Sequence, residues 1–280
     1  MGTRRTWAHL KGDRAGLVGL LIVLFFLGVA ATVWLGWLGQ GWSEASGGRW
    51  LTPNADHWFG TNLLGQDIFA RSVYSVRTAF EIGLVVALVS TALGAGIGAL
   101  AGWYADSWID GSVMWLKGVL DAIPFYLFVA AIAYALQGQW WAMHLAMIAT
   151  FWTTTARLVR AEAMKLRSHD YVRAAQAMGL TDMRIIWRHV LPNTVHILLV
   201  QATIAFVAAI KTEVILSFLG IGVQDGVSWG LMLAESTQEV LAGHFANFIA
   251  ASAMLFLLVL GFNLLSDAMQ DALDPRGGGA

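Results

Sequence analysis

The first candidate for chemistry is a serine in the pentapeptide Gly226-Val227-Ser228-Trp229-Gly230, which matches the pattern G-x-S-x-G. In one class of hydrolases this pattern holds a nucleophilic serine at a strand-to-helix turn, beside a histidine and an acid. Here it lies in a predicted loop of a chain without predicted strands, so a chance match is the better interpretation. A membrane-embedded hydrolase resting on Ser228 is therefore the weakest hypothesis for this chain.

Other kinds of chemistry lack the residues they need. The sequence has no cysteine, which excludes disulfides, thiol chemistry and cysteine metal sites. Its seven histidines are scattered, with no H-E-x-x-H pair. It has no G-x-x-x-x-G-K-S/T segment, so it cannot bind ATP in the manner of a P-loop protein. We therefore expect no catalytic residue, metal site or cofactor in this polypeptide. The energy for any process that it drives must come from a different polypeptide.

Among the ionisable residues inside apolar stretches, three bear on a possible pathway. A charge at mid-membrane costs about 2.5 to 3.5 kcal/mol on insertion scales, so Asp121 should face protein or water. Lys211 lies roughly 20 Å along its span at the usual helical rise, near the outer interface, where snorkelling to water explains it. Glu213 cannot face Lys211 on a helix and is the better candidate for a polar pathway. We therefore take Asp121 and Glu213 as candidate pathway-lining residues.

The elements that carry these residues are predicted to be membrane helices. Apolar residues make up 58% of the 280 positions and charged residues 12%, which predicts an integral membrane protein. A spanning helix needs about 20 mostly apolar residues. Six segments qualify, at about 15–38, 79–103, 113–136, 140–157, 195–218 and 246–267. The predicted fold class is thus all-α, with six transmembrane helices.

The distribution of Lys and Arg predicts the orientation. Four lie before residue 15, seven between Arg157 and Arg188, and one in the C-terminal tail. By the positive-inside rule, both termini and the segment Ser168–Pro192 are cytoplasmic. We treat residues 1–280 as one transmembrane domain, with five core helices over about 79–267, a periplasmic segment over 39–78 and a cytoplasmic loop over 158–194.

Small residues recur in the second span, at Gly94, Gly98 and Gly102. This four-residue spacing predicts close packing of two helices in lipid. A glycine-rich phosphate cradle is the alternative, but it needs a preceding strand and soluble surroundings. We therefore predict a packing role for these glycines.

The polar segment Ser168–Pro192 predicts two short helices with a turn between them. Ser168 suits the N-cap of the first helix, and Gly179 the left-handed residue that ends it. Thr181 suits the cap of the second helix, and Pro192 is predicted to stop that helix. Helical spacing places Tyr171, Ala174, Ala175 and Met178 on one side of the first helix. A connector helix folded back on its own bundle explains this spacing as well as a partner surface does.

The same segment resembles the coupling loop, or EAA loop, of importer permeases powered by ATP-binding cassettes. The matching positions are Ala174, Ala175, Gly179, Leu191 and Pro192. Arg173 stands where that pattern usually has Glu, and His189 where Ile is common. Because Arg173 replaces this Glu, a salt bridge from the acidic side chain is no longer expected, whereas the fold of the loop still is.

A narrower resemblance, to the C-type permease subunits of dipeptide, oligopeptide and nickel importers, covers most of the chain. It rests on the segments His57–Phe80, Leu216–Ser236 and Phe262–Arg276, and on the run Asp121–Pro124. Within these, Gly60, Gly65 and Asp67 match the family, whereas Asn62, Gln66 and Asp225 to Val227 depart from it. For His57–Phe80, an amphipathic surface helix under a loop remains the alternative.

The resemblance implies the permease fold of type I ABC importers and a location in the bacterial cytoplasmic (inner) membrane. It also implies three kinds of partner besides lipid: a second permease of similar fold, two cytoplasmic ATPase subunits that bind ATP and Mg²⁺, and an extracytoplasmic substrate-binding protein. Nucleic acid is not expected. The implied substrate is a short peptide, with nickel or another small solute as alternative.

In the implied mechanism, the coupling loop moves with an ATPase subunit and tilts the membrane helices without doing chemistry itself. The loop residues assigned to this role are Tyr171, Ala174, Ala175, Met178, Gly179, Leu191 and Pro192. The competing hypothesis is a self-contained channel or secondary carrier, with Asp121, Lys211 and Glu213 as an ion path. Such carriers often contain two similar halves, and no internal repeat is visible in this sequence.

Overall fold

A computed structural model describes residues 13–136, 138–223 and 226–273. Apart from two isolated β-bridges near residues 45–67, the regular structure of these residues is helical, as predicted. The α-helices are α1 Arg14–Trp34, α2 Ile68–Trp103, α3 Trp108–Ala122, α4 Phe125–Ala135, α5 Ala142–Arg167, α6 Asp170–Ala177, α7 Asp182–Ile185, α8 Val195–Phe218, α9 Trp229–Leu241 and α10 Ala246–Leu273.

Most of each predicted span is helical, but the helices do not all have the predicted form. The predicted span 113–136 is the pair α3 and α4, bent by 91° at Ile123 and Pro124. Within the described ranges four helical stretches are long and apolar enough to cross a membrane, and counting the bent pair as one span makes five. The predicted span 140–157 is helical too, but α5 continues to Arg167 through a charged second half. The count of six therefore stays a prediction.

The chain forms two compact units that are interleaved in sequence. Of the described residues, one unit contains 13–84, 136, 138–143, 207–223 and 226–273, and the other contains 85–135 and 144–206. In the first unit α1 packs along α10. Gly19 permits this approach, because a Cβ there would lie 2.7 Å from the backbone nitrogen of Leu265. Phe26 meets Trp229 edge to face, with ring centroids 6.1 Å apart.

The second unit is built on close packing between the later part of α2 and α5. A Cβ at Gly94 would lie 2.6 Å from Thr155 Cβ, and one at Gly102 would lie 2.8 Å from Ala163 Cβ. Gly98 meets the backbone of Ala156 in the same way. The predicted packing role of these three glycines is confirmed.

An ion pair ties α3 to α5 in the same unit. Arg160 donates through Nε and Nη2 to the two carboxylate oxygens of Asp110, both at 2.6 Å. Asp110 also accepts from the backbone N–H of Asp106, a non-glycine residue with φ of +66°. Sequence analysis missed this pair, since its members lie 50 positions apart.

The segment between α1 and α2 forms a compact loop, and helix begins only at Ile68. The surface-helix alternative for His57–Phe80 is thus wrong for residues before Ile68. Asp67 holds the loop internally by accepting from the His57 ring at 2.8 Å. Tight turns, with Gly60 at φ of +76° and Gly65 at +74°, prevent a regular helix here.

Two contacts fasten this loop region to α9. Leu63 N–H donates to Glu239 at 2.6 Å, and Arg71 donates to Glu235 at 2.6 Å. Arg71 also donates to Gln66, one of the positions that departs from the family pattern. Burial raises the pKa of the Glu235 carboxyl, and the guanidinium of Arg71 works against that shift.

Candidate coupling surface and pathway residues

The first helix of the predicted coupling loop is α6, and its N-cap is His169 rather than Ser168. The prediction of a Ser168 cap is wrong because Ser168 still belongs to the final turn of α5. Its hydroxyl donates back to Lys165 O at 2.8 Å instead of accepting from α6. The first extended residue is His169, with ψ of 145°, and its side chain makes no cap hydrogen bond.

Gly179 ends α6 as predicted. It has φ of +79°, and the turn is closed by hydrogen bonds from Gly179 N–H to Gln176 O at 2.9 Å and from Leu180 N–H to Ala175 O at 3.2 Å. No atom beyond its chain neighbours lies within 4 Å of a Cβ built at this position. Backbone conformation alone therefore requires glycine there.

The second helix begins after Thr181, as predicted, although the threonine hydroxyl makes no cap hydrogen bond. Asp182, in the first turn of this helix, accepts a hydrogen bond from the Tyr104 hydroxyl at 3.1 Å. Pro192 does not stop this helix, so that prediction is wrong. The chain continues through a π-helical turn at Ile186–Val190 and a 3₁₀ turn at Leu191–Thr194 directly into α8.

The two irregular turns explain how proline is accommodated. In a regular α-helix, Pro192 would lack the N–H that bonds to Arg188 O, and its ring would press on that carbonyl. The wider turn before it changes this spacing. The side-chain amide of Asn193 donates to His189 O at 2.6 Å, which satisfies one carbonyl of the disturbed turn.

Burial divides the predicted contact face of α6. Ala175, predicted to belong to that face, is 1% exposed and packs with Val172 into the core of its unit. The rest of this core comes from α2, α5 and the second helix, namely Ala95, Ala99, Trp103, Val159, Ala163, Leu166, Ile185, Ile186 and Val190. Ala175 thus fixes α6 to its own unit and presents no surface to a partner.

Five exposed residues of α6 with its C-cap, of α7 and of the π-helical turn after α7 make up what we call the coupling surface. Its members are Tyr171, Ala174, Met178, Met183 and Trp187. Met178 is 74% exposed and Trp187 69% exposed, although both side chains are large and apolar. Of the remaining predicted loop residues, Pro192 is exposed and Leu191 is partly buried. Sequence analysis did not include Met183 or Trp187.

Tyr171 links the two helices. Its ring lies between those of His169 and His189, at centroid distances of 5.8 and 6.3 Å. Burial and the negative charge of Glu162 raise the pKa of the Tyr171 phenol, so it is neutral at physiological pH.

The two candidate pathway residues lie in different surroundings. Asp121 is exposed at the end of α3, two residues before Ile123 at the bend, and forms an ion pair with Lys117 that was not predicted from the sequence. Glu213 is buried in α8 and accepts from the Ser217 hydroxyl at 2.5 Å. Lys211 is exposed while Glu213 is buried, as expected for residues two positions apart on a helix.

Ser228 serves as a helix cap. It is the N-cap of α9 and accepts from Leu231 N–H at 3.1 Å, and its hydroxyl lies 3.4 Å from that of Ser217. The G-x-S-x-G match here follows a loop and not a strand, which agrees with a chance match. Within the described ranges, no group of three or more His, Cys, Asp or Glu residues could hold a metal ion.

Comparison with known proteins agrees with the sequence resemblance. The chain is 34% identical to the dipeptide transport system permease protein DppC of Bacillus subtilis over 281 aligned residues, which cover 98% of this chain and 86% of the relative. It is 37% identical to the oligopeptide transport system permease protein OppC of Mycobacterium tuberculosis over 226 residues, covering 80% and 77% of the two chains. A putative peptide transport system permease protein of Brucella suis is 37% identical over 98% of this chain and 91% of its own length.

A family model also matches residues 94–277, which is more than half of the chain and includes the coupling surface. The family is described as the binding-protein-dependent transport system inner membrane component. Together with the apolar helices of the structure, these matches confirm the predicted permease class and a multi-pass membrane protein. The chain belongs to the family of binding-protein-dependent transport system inner membrane components.

Proposed function

We propose that this chain is one of two permease subunits of an ATP-driven importer for short peptides in the bacterial inner membrane. The observation that carries the proposal is the coupling surface, where large apolar side chains stay exposed on helices whose other side is fully packed. The peptide class of the substrate is taken from the names of the relatives, which are dipeptide and oligopeptide permeases.

The proposed role of the coupling surface is to receive motion from an ATPase subunit. An amphipathic helix laid in a groove of that subunit would expose Tyr171, Ala174 and Met178 to the groove. ATP and Mg²⁺ belong to the ATPase subunits in this proposal, and the permease supplies no catalytic group.

Packing of the coupling helices explains how motion would reach the membrane. Ala175 and Val172 fix α6 to α5, and the second helix continues into α8 without a break in helical structure. Protein interiors are densely packed and transmit displacement instead of absorbing it. A shift of α6 therefore tilts α5 and α8 together, which is the kind of movement that exchanges inward and outward openings.

The orientation follows from the positive-inside rule. We place both termini and the coupling surface in the cytoplasm, and the loop between α1 and α2 outside, where an extracytoplasmic binding protein delivers substrate. Asp121 and Glu213 are proposed to line the pathway. The second permease subunit would supply the other half of that pathway.

Cross-linking from a single cysteine tests the coupling role, because the natural chain contains none. Met178→Cys, labelled with a short thiol-reactive photo-cross-linker that needs no cysteine on the partner, should capture the ATPase subunit in intact cells on illumination. Leu241→Cys is the matched control, since Leu241 is also strongly exposed but lies at the end of α9, on the side proposed to be outside. If Met178→Cys captures no nucleotide-hydrolysing protein, or if Leu241→Cys captures the same one, the coupling role is wrong.

A further inference from the structure

A cavity of about 150 Å³ lies in the first unit, between the loop that follows α1 and the turn from α9 to α10. Trp50, Glu239, His244 and Asn247 are among the residues that line it. A single water needs roughly 10 to 15 Å³ of such space, so this cavity is about ten times larger than one ordered water requires. Its size suits a small organic group.

Two polar groups of the lining residues have no hydrogen-bond partner within the described ranges. They are the indole N–H of Trp50, a donor, and Oδ1 of Asn247, an acceptor. Asn247 is 1% exposed, and its amide nitrogen is already used, donating to Met232 O at 3.3 Å. Leaving a buried polar group unpaired destabilises the fold, so native structures seldom leave two around one cavity without a ligand or water to pair them.

The cavity also has an excess of negative charge beside it. Glu239 is 2% exposed, and one of its oxygens accepts from Leu63 N–H. Arg71 forms an ion pair with Glu235 and also interacts electrostatically with Glu239. One guanidinium thus faces two carboxylates, which leaves room for a second cation.

One residue in the wall of the cavity has a strained backbone conformation. Trp50 has φ of +54°, which is rare for a bulky residue. Its ring is stacked on that of His244, with centroids 4.3 Å apart and planes 15° from parallel. Strain of this kind persists only where the surroundings fix it, and it is concentrated at binding sites.

We propose that this cavity binds the amino end of a peptide, with the α-ammonium at Glu239 and Asn247 Oδ1 and the adjacent carbonyl oxygen accepting from Trp50 Nε1. A ligand that carries a positive donor and a neighbouring acceptor would satisfy all three groups at once. The mostly apolar remainder of the wall, which includes Leu51 and Ile68, accommodates the first side chain. The choice of a peptide over a free amino acid rests on the proposed function.

Calorimetric titration of the full chain in lipid nanodiscs tests this site, with three probes. Ala-Ala should bind saturably, and N-acetyl-Ala-Ala, which lacks the ammonium, should bind at least about tenfold more weakly. Methylamine, which lacks the carbonyl, should be weaker as well. Equal binding of the acetylated peptide would disprove the ammonium assignment, and equal binding of methylamine would disprove the carbonyl contact. Free alanine that binds as tightly as Ala-Ala would overturn the choice of a peptide.

Two variants connect the binding to the named residues. Glu239→Gln keeps an oxygen for Leu63 N–H but removes the charge, and we expect about a tenfold loss of Ala-Ala affinity. Trp50→Phe keeps an aromatic ring, although a smaller one, and removes the N–H, with a smaller loss of about fivefold. Trp58→Phe is the control, since Trp58 packs on Phe69 and does not line the cavity, and it should bind normally.

The outcomes separate this inference from the proposed function. If Ala-Ala does not bind, or if Glu239→Gln binds it unchanged, the cavity is not a peptide site. Import by the assembled transporter would then still support the proposed function. Failure of the Met178→Cys cross-link would instead count against the proposed function and leave the binding result intact.

Discussion

At the scale of single residues, the ion pair of Asp110 and Arg160 shows that a buried carboxylate depends on the cation that pairs with it. The Asp110 side chain is 6% exposed and receives two hydrogen bonds from a guanidinium. A buried carboxylate without a partner is strongly destabilising, whereas removing both members of a pair is often tolerated. The stability of the second unit should therefore respond differently to single and double substitution.

We predict that Arg160→Ala lowers the free energy of unfolding by about 2 kcal/mol, because it leaves the Asp110 carboxylate without its two hydrogen bonds from the guanidinium. The double variant Asp110→Asn/Arg160→Ala should be more stable than the single one. Thermal unfolding in detergent measures both. Arg157→Ala is the control, because Arg157 is exposed on the same helix. A double variant less stable than Arg160→Ala would show that the pair acts in another way.

Gly179 provides a second test at this scale. Its φ of +79° disfavours any side chain, yet the space around it is open. Gly179→Ala should therefore cost about 1 kcal/mol, and Gly179→Asn less, because Asn tolerates the left-handed region. Hydrogen exchange at the backbone of α6 measures the effect. Equal exchange in the alanine variant and the natural chain would mean that the turn is not under this constraint.

At the scale of elements, three glycines of α2 set the distance to α5. Gly94 meets α5 directly, whereas no atom outside the local chain lies within 4 Å of a Cβ at Gly96, two positions later. Gly94→Val should then destabilise the protein by ~2 kcal/mol or more through overpacking against the α5 backbone. Gly96→Val should be tolerated. The amount of folded protein recovered from membranes and its melting temperature compare the two, and similar losses in both would contradict the packing role.

The elements also show which parts of the fold local sequence can predict. Gly179 was predicted correctly because its left-handed turn depends on the residues beside it. Ser168 was assigned wrongly because the N-cap of α6 depends on where α5 ends, and Pro192 because the preceding turn can widen. The pair of Arg71 and Glu235 joins positions 164 apart, which no local pattern indicates. The spacing of Ala174 and Ala175 predicted a helical face, but only the packed structure shows which of the two is buried.

At the scale of the whole molecule, Ala174 and Ala175 allow the effects of folding and of coupling to be tested separately. Ala174 is exposed on the coupling surface, and Ala175 is buried in the core of its unit. Ala175→Trp should overpack that core and reduce the amount of folded protein. Ala174→Trp should leave folding unchanged but place a bulky ring between α6 and the ATPase subunit.

We predict that the assembled transporter with Ala174→Trp loses most peptide import while its melting temperature stays within about 2 °C of the natural protein. The two helices transmit displacement only if the partner seats against them, so ATP hydrolysis and import should become uncoupled. Import of a labelled dipeptide into vesicles, measured beside ATP hydrolysis, tests this. Ala174→Ser is the control, because it adds one atom and should import normally. Normal import by Ala174→Trp would place the contact with the ATPase elsewhere, since a ring of that size cannot fit a groove shaped for alanine without displacing the helix.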